Sequence, residues 1–432
     1  MANEQARAAR AIVREPLTGA QVRGFWAAWC GWTLDGMDSF IFALVLAPAL
    51  RELLPRSGMS GAPGHVVAAG SVMFAVFLAG WGSSIIWGSI SDRWGRARAL
   101  ATAVLCYAVF TGAAAAAGNV YELGLFRFLA GVGIGGEWAL AGTYVAEIWP
   151  ESRRSMGAGY LQTGYYAGFF LAAALNYIVG AHFGWRAMFL CGAAPAIFAI
   201  YLYRRLGESP RWQRAAAVQV PVHPLRLIFA SAYRRRTLVN TALLTVSILG
   251  LWAGSAYEPA AIAALAQHAG RSPAEAARLA SFGTGLLSIA TALGCLAAPP
   301  LAERFGRRPV LAAYFLGMAL SIWISFGWAF YLPDGLRVFI ASLALLGFFG
   351  GNFALYTLWL PEQYPTLMRA TAFAFATSFG RFIGAGANFL IGSAIASYGS
   401  IGRPIAVTAL AFVIGLLLLP WALETRGQEL PP

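Results

Sequence analysis

The sequence predicts an all-α membrane protein, with twelve transmembrane helices in two six-helix bundles related by pseudo-twofold symmetry. Three observations predict it. The first is composition: of 432 residues, 59% are hydrophobic and 11% charged, with a mean hydropathy of +0.63. Soluble domains carry roughly 25% charged residues, and a soluble chain this apolar would expose patches that monomers avoid. The second observation is the spacing of the apolar runs, and the third is a repeat that relates the two halves.

A spanning helix needs about 20 apolar residues. Twelve runs qualify, starting near Phe25, Val66, Arg98, Tyr121, Ser155 and Trp185, then near Thr237, Ala274, Pro309, Gly335, Arg369 and Pro404. Ser272, Pro273 and Glu275 read as N-cap, N1 and N3 of the eighth. The chain divides into a tail (1–24), a first bundle (25–206), a linker (207–233), a second bundle (234–423) and a closing tail (424–432). All 31 basic residues are Arg, which with abundant Ala matches high-GC codon usage and a bacterial source. With both termini cytoplasmic, 22 Arg fall on the inner side, among them Arg7, Arg10, Arg14 and Arg23, and seven fall in outer loops. That asymmetry follows the positive-inside rule and predicts a multi-pass inner-membrane protein. The first apolar run is too long for the h-region of a cleavable leader.

The net charge of +13 does not imply nucleic acid, because the Arg residues lie between apolar runs rather than on one soluble face. Cys30, Cys106, Cys191 and Cys295 sit inside apolar runs without metal-ligand spacing and read as small buried hydrophobes. No metal or cofactor is expected. The expected partners are a small-molecule substrate, protons and membrane lipid, around a monomer.

The repeat has one register. Asp92-Arg93-Trp94-Gly95-Arg96 returns as Glu303-Arg304-Phe305-Gly306-Arg307, 211 residues later, and Pro150-Glu151 returns as Pro361-Glu362 at the same offset. Carriers built from repeats hold their substrate at the interface between them. Spans 3, 6, 9 and 12 are almost purely apolar, spans 1, 4, 7 and 11 carry ionisable groups, and spans 5, 8 and 10 carry polar stripes. The first set is expected to face lipid while the others surround a polar cavity.

The segment Gly88-Ser89-Ile90-Ser91-Asp92-Arg93-Trp94-Gly95-Arg96-Ala97-Arg98 lies in the short turn between spans 2 and 3. Its spacing resembles the signature of the major facilitator superfamily, and the resemblance covers the whole chain. Gly88 would let a neighbouring helix approach closely, and Asp92 would sit against a helix N-terminus. Arg93 and Arg96, with Glu303, Arg304 and Arg307 in the second copy, would lock an inner gate through charge pairs. Glu147, Pro150-Glu151 and Arg153 after span 4 resemble the sugar-porter-related branch. So do Gly207-Glu208-Ser209-Pro210-Arg211-Trp212 after span 6 and Glu424-Thr425-Arg426-Gly427 near the end. The resemblance implies a cytoplasmic charge network, in which Gly95, Glu147, Arg153, Glu208, Arg211, Glu362, Arg369 and Glu424 are gating candidates rather than substrate ligands.

Span 1 contains Asp35-Gly36-Met37-Asp38. A carboxylate at mid-membrane costs about 2.5–3.5 kcal/mol on insertion scales, so it needs a function. Positions i and i+3 share a helix face, and either Asp is a candidate proton carrier. The motif is similar to one in the aromatic acid:proton symporters. There, as in related sugar:proton symporters, the second Asp couples through an Arg on span 4; the matching residues are Asp38 and Arg127. Counting from the outer helix ends places Arg127 roughly 8–9 Å nearer the outside than Asp38. Span 4 continues Gly131-Val132-Gly133-Ile134-Gly135-Gly136-Glu137-Trp138, and Glu137 is a second protonation candidate. This Gly-Gly-Glu-aromatic run resembles sialate and other metabolite:proton symporters.

Arg381 on span 11, with Thr377, Ser378 and Asn388 near the same face, has two readings. Guanidinium binds carboxylate bidentately, so Arg381 either holds an organic acid or forms a salt bridge to Glu137 or Glu258. Gly380-Arg381 matches the Gly-Arg of organic-anion carriers in the superfamily. Candidate cavity residues are Gln162, Tyr165, Tyr166, Phe169 and Asn176 on span 5, Trp252, Tyr257 and Glu258 on span 7, and Asn352, Tyr356 and Trp359 on span 10. Span 8 adds Ser281, Thr284, Ser288 and Thr291. Tyr and Trp suit a ring-bearing ligand, whereas Trp26, Trp29 and Trp32 read as interfacial anchors. The four His fall in or near loops, and no Walker-type loop is present. The expected function is a proton-coupled symporter importing a small organic acid, aromatic acids included, by alternating access. The alternatives are a sialic acid or sugar:proton symporter and an efflux antiporter. A nutrient sensor would need a soluble signalling domain, and no set of nucleophile, base and orienter suggests an enzyme.

Overall fold

The computed structural model describes residues 15–218 and 223–432, though not the side chains of some positions, 251–256 among them. Arg7, Arg10 and Arg14 lie outside this set. Among the described residues there are helices and no strands. The first bundle contains α1 (Gly19–Arg56), α2 (Pro63–Gly82 continued by Ile85–Trp94), α3 (Arg96–Ala114), α4 (Val120–Ile148), α5 (Arg154–Leu175) and α6 (Ala181–Cys191 continued by Pro195–Arg205). The second contains α7 (Ser231–Ala256, then Glu258–His268), α8 (Pro273–Phe305), α9 (Arg307–Ile322, running on through Trp323–Trp328), α10 (Gly335–Gly350, then Phe353–Trp359), α11 (Arg369–Tyr398) and α12 (Gly402–Val407, then Ala409–Leu418). Short helices Pro210–Ala217 and Pro224–Leu227 lie between the bundles in sequence.

Among the described residues, eight of these helices are long and apolar enough to cross a membrane by length and composition. α1 and α5 are not among them: Asp35 and Asp38 on α1 and Gln162, Tyr165 and Tyr166 on α5 lower their mean hydropathy. On the outside, α3, α6, α9 and α12 present large exposed apolar side chains such as Val109, Ile197, Leu320 and Leu417.

Helix starts follow local chemistry. α1 begins six residues before Phe25, because Thr18 caps it and Gln21 returns the bond to the Thr18 amide; the apolar pattern alone starts a turn and a half too late. Ser272 and Glu275 form the same capping box on α8. In α6 the backbone breaks at Gly184, whose φ is +77°, and regular helix resumes at Trp185, the expected start.

Helix pairs within a bundle are interlocked by glycine. A Cβ on Gly36 of α1 would strike the carbonyl of Tyr165, and one on Gly168 of α5 would strike that of Thr33. Each helix thus lays its backbone against the other where side chains are missing.

The repeat is real, but its register is not single. Arg96 and Arg307 open α3 and α9, 211 residues apart. Arg154 and Arg369 open α5 and α11, each after one 3₁₀ turn (Glu151–Arg153 and Thr366–Met368), and they are 215 residues apart. Matching Pro150-Glu151 with Pro361-Glu362 is therefore wrong. The second half carries four extra residues between these points, about one helical turn. The true counterparts are Glu147 with Glu362, Pro150 with Pro365 and Arg154 with Arg369, both reading Glu-x-x-Pro-x-x-x-Arg.

Candidate functional site

Three carboxylates and two guanidiniums meet at mid-depth. Asp35, Asp38, Arg127 and Glu137 have no exposed surface, and Arg381 is 5% exposed. Arg127 of α4 donates to Asp38 of α1 twice, at 3.0 Å (Nη2 to Oδ2) and 3.4 Å (Nη1 to Oδ1), and to the Thr111 hydroxyl of α3 at 3.0 Å. The rings of Phe42 and Phe77 lie 4.5 and 4.9 Å from its guanidinium. A buried ion pair is tolerated only when geometry and extra hydrogen bonds offset its desolvation, and this one has both.

The counted offset between Asp38 and Arg127 does not exist in the structure. α1 has 38 residues, about 57 Å at 1.5 Å per residue. It overshoots a hydrocarbon core of about 30 Å, so levels counted from its outer end misplace Asp38.

Asp35 accepts from the Ser39 hydroxyl at 3.5 Å, and its Oδ2 has no partner. Neither oxygen of Glu137 has one; the carboxylate occupies the space that a Cβ on Gly31 of α1 would fill. Asp35 lies within electrostatic reach of Glu137, Arg381 and Asp38. The buried Tyr107 hydroxyl of α3 feels the three carboxylates and makes no hydrogen bond.

Arg381 brings α11 of the second bundle to this cluster. Its guanidinium packs on Trp81 at 4.4 Å and Trp138 at 5.9 Å, and Nη1 donates to the Gly135 carbonyl at 3.4 Å. Among the described residues it forms no ion pair. Glu258 is occupied elsewhere, accepting from the Thr284 hydroxyl at 3.1 Å, so the expected alternatives of a salt bridge to Glu137 or Glu258 are not what the structure contains.

Aromatic rings wall the cluster. Trp32 stacks on Trp138 at 6.2 Å and meets Tyr165 at 4.8 Å. Trp138 also touches Phe353 and Phe373 of the second bundle. Its Nε1 donates to the Thr357 hydroxyl at 2.9 Å, and Thr357 donates to Gln162 at 3.3 Å. Tyr165 and Arg381 thus lie beside the carboxylates, and Gln162 reaches the same ring wall through Thr357.

Other candidates do not join them. The Tyr356 hydroxyl is tied to Ser247 (2.9 Å) and to the Leu243 carbonyl (2.8 Å), both on α7. Asn352 donates to the Phe349 carbonyl of its own helix. Tyr166 is buried near Cys295. Asn176 falls in the turn Asn176–Gly180 after α5, and Asn388 lends its carbonyl to Tyr257. The Trp252 side chain lies outside the described residues.

Sequence reasoning missed Trp81 and Trp138 as guanidinium platforms and misplaced Trp32, which is buried rather than interfacial. The signal was present: Trp32 precedes Asp35 by three residues and so shares its face.

A second charge cluster closes the Arg-rich end. Arg96 donates to both oxygens of Glu147 (2.9 and 3.1 Å), to Asp92 (2.9 Å) and to the Thr366 carbonyl (2.6 Å). Arg369 reaches Glu147 at 2.7 Å from the second bundle. In the mirror set Arg307 donates to Glu362 (2.7 and 3.0 Å) and Glu303 (2.9 Å), and Arg154 crosses from the first bundle to Glu362 at 2.9 Å.

Asp92 caps α11 across the bundle boundary, accepting from the Thr371 amide (2.8 Å) and hydroxyl (2.6 Å). Glu208 caps α3 through the Ala97 and Arg98 amides, and Glu424 caps α9 through those of Arg307 and Arg308. Gly95 (φ +119°) and Gly306 (φ +100°) precede these helices, and the two carboxylates stand where their Cβ atoms would be. Only glycine meets both demands.

Residues 424–432 lie over the network. Arg369 donates to the Pro431 carbonyl (2.6 Å) and Arg154 to that of Gln428 (3.3 Å), while Arg211 reaches Glu151 (2.7 Å). Arg153 makes no ion pair among the described residues; the ion pair across the bundles is made by its neighbour Arg154. Arg93 contacts His223, and Arg304 packs on the Phe305 ring, so both stand apart from the network.

Direct hydrogen bonds between the bundles run from mid-depth (Arg381 to Gly135, Ser84 with Ser378) to the Arg-rich end, with none beyond mid-depth among the described residues. Gly88 lets α2 lie close against α11, since a Cβ there would lie 2.7 Å from the Ala370 carbonyl and the Thr371 Cα. Gly88→Val is expected to cost about 1–3 kcal/mol of overpacking in this closed state. The check is maleimide labelling of Cys295, which is buried where α8 crosses α5; the variant is expected to label faster than wild type.

Two six-helix bundles, with a ring-walled charge cluster between them and a charge network shutting one end, define a multi-pass membrane carrier. The model of the Major Facilitator Superfamily matches residues 28–257, and that of the family described as sugar (and other) transporter matches 265–431. The chain belongs to the major facilitator superfamily, whose members are transporters rather than enzymes. It is 30% identical over 416 residues to a protein of Cupriavidus pinatubonensis described as a probable 4-methylmuconolactone transporter, covering 94% of this chain and 91% of that one. It is also 30% identical over 419 residues to the gallate transporter of Pseudomonas putida, covering 89% and 88%. The fold matches that of the proton:xylose symporter XylE with a TM-score of 0.78 at 21% identity, covering 95% of this chain and 97% of that one.

Proposed function

We propose that the chain is a proton-coupled symporter that imports a small ring-bearing organic acid by alternating access, in a bacterial inner membrane with both termini cytoplasmic. The observation that carries the reading is Arg381: a buried guanidinium on aromatic rings, beside a carboxylate cluster, with no carboxylate paired to it among the described residues. A substrate carboxylate completes it, and the Trp32, Trp138 and Tyr165 rings suit a flat apolar body. The names of the muconolactone and gallate relatives support the same class.

Coupling rests on Asp38 and Arg127. A proton on Asp38 releases Arg127 and changes the balance between states, as a ligand does when it binds them unequally. Asp35 and Glu137 are further proton carriers. Asp92, Arg96, Glu147, Arg154, Arg307, Glu362 and Arg369 lock the cytoplasmic gate.

Uptake into proteoliposomes, with and without a pH gradient, tests this. Benzoate-type acids are expected to compete, and hexoses and sialic acid are not; the opposite pattern overturns the substrate class. Arg381→Gln is expected to raise the half-saturating concentration roughly 10–100-fold, the loss of one charged hydrogen-bonding partner.

A further inference from the structure

We propose that the chain carries a phosphate site for an anionic phospholipid headgroup between α1 and α6 at the Arg-rich end. A cavity of about 500 Å³ opens there, lined by Arg23, Ala27, Tyr201, Leu202, Arg205 and Leu206. The four arginines buried in the gate are all ion-paired. Arg23 and Arg205 differ: among the described residues neither has an acidic partner or a side-chain hydrogen bond. Two cations facing one concavity repel. A phosphodiester resolves that repulsion, because guanidinium groups offer it paired N–H donors.

The surroundings select a lipid over a free anion. Trp26 of α1 and Tyr201 of α6 are each 53% exposed, and such rings anchor at the membrane–water boundary. From Tyr201 the exposed side chains of Ile200 and Ile197 continue along α6, at the i, i+3 and i+4 spacing of one helix face. An acyl chain follows this strip into the bilayer while its phosphate enters the cavity. Basic pockets between spanning helices hold anionic headgroups in this way. The cavity lies outside the mid-depth cluster, and no residue lining it takes part in either charge network described above.

Native mass spectrometry of the full chain, released from bilayers of equal phosphatidylglycerol and phosphatidylcholine, tests the site. Wild type is expected to retain phosphatidylglycerol selectively, and Arg23→Gln with Arg205→Gln to lower that retention roughly tenfold. The double Lys variant keeps both charges and is expected to keep the lipid. Equal retention of the two lipids by wild type, or undiminished retention by the Gln pair, overturns the proposal. A second measurement needs no variant: the melting temperature of delipidated wild type is expected to rise more with phosphatidylglycerol than with phosphatidylcholine. Equal rises overturn the site, and an equal rise with inorganic phosphate alone overturns the lipid assignment.

Discussion

Asp38→Asn is expected to abolish concentrative uptake driven by a pH gradient, by about 100-fold or more, while sparing substrate-for-substrate exchange. The Asp38–Arg127 pair has no exposed surface on either side chain. Removing one partner from such a pair leaves an uncompensated buried charge, at a cost of about 3–5 kcal/mol. Each 1.4 kcal/mol is a factor of ten in an equilibrium, so the populations of states shift by at least two orders of magnitude. Asn is close in shape to a protonated Asp, so the carrier stays in the arrangement that proton binding produces. It can then turn over with substrate on both faces but cannot release a proton. Proteoliposomes preloaded with substrate measure exchange, and empty ones under an imposed pH gradient measure accumulation. Accumulation at the wild-type level in the variant would remove Asp38 from the coupling step.

Glu147→Gln is expected to release the closed end. One carboxylate here receives Arg96 from the first bundle and Arg369 from the second, both fully buried. Gln accepts one neutral hydrogen bond where Glu held two cations, and it leaves Arg96 and Arg369 facing each other. The expected cost to the closed state is again about 3–5 kcal/mol, which exceeds that of any single uncharged contact across the boundary. Two readouts apply: a lower melting temperature in detergent, and rapid maleimide labelling of Cys295. A combined Arg369→Gln and Glu147→Gln variant should lose less than the sum of the two single losses, because the second change removes the charge that the first stranded. Additive losses would show that the residues do not act on each other.

How much of this was legible beforehand depended on whether a feature was local. The twelve helices were readable because spanning needs a long apolar run, and the α8 cap because Ser272 and Glu275 sit three apart. α1 started early because its first turn is polar and held by Thr18, which hydropathy does not register. The Asp38–Arg127 pair was readable as chemistry and wrong as a level, since a helix longer than the bilayer is thick gives no reliable ruler. The four-residue slip in the repeat went unseen because Pro-Glu matched at the first offset by chance; the longer pattern from Glu147 to Arg154 and from Glu362 to Arg369 carried the correct register. Tyr356 was misplaced because its partners, Ser247 and the Leu243 carbonyl, are over a hundred residues away, and no spacing rule reports on them.

The paired glycines at Gly36 and Gly168 have a mechanical consequence. With backbone resting on backbone, α1 and α5 behave as one strut, and sliding either along the other would drive Cα atoms into carbonyls. Asp35, Asp38 and Tyr165 all sit on that strut, so a rigid-body movement of it leaves their mutual distances unchanged. Glu137 shares α4 with Arg127, and Arg381 belongs to α11. Any change in the spacing of Asp38 and Arg127, or of Asp35 and Arg381, is then a displacement of α4 or α11 against the strut.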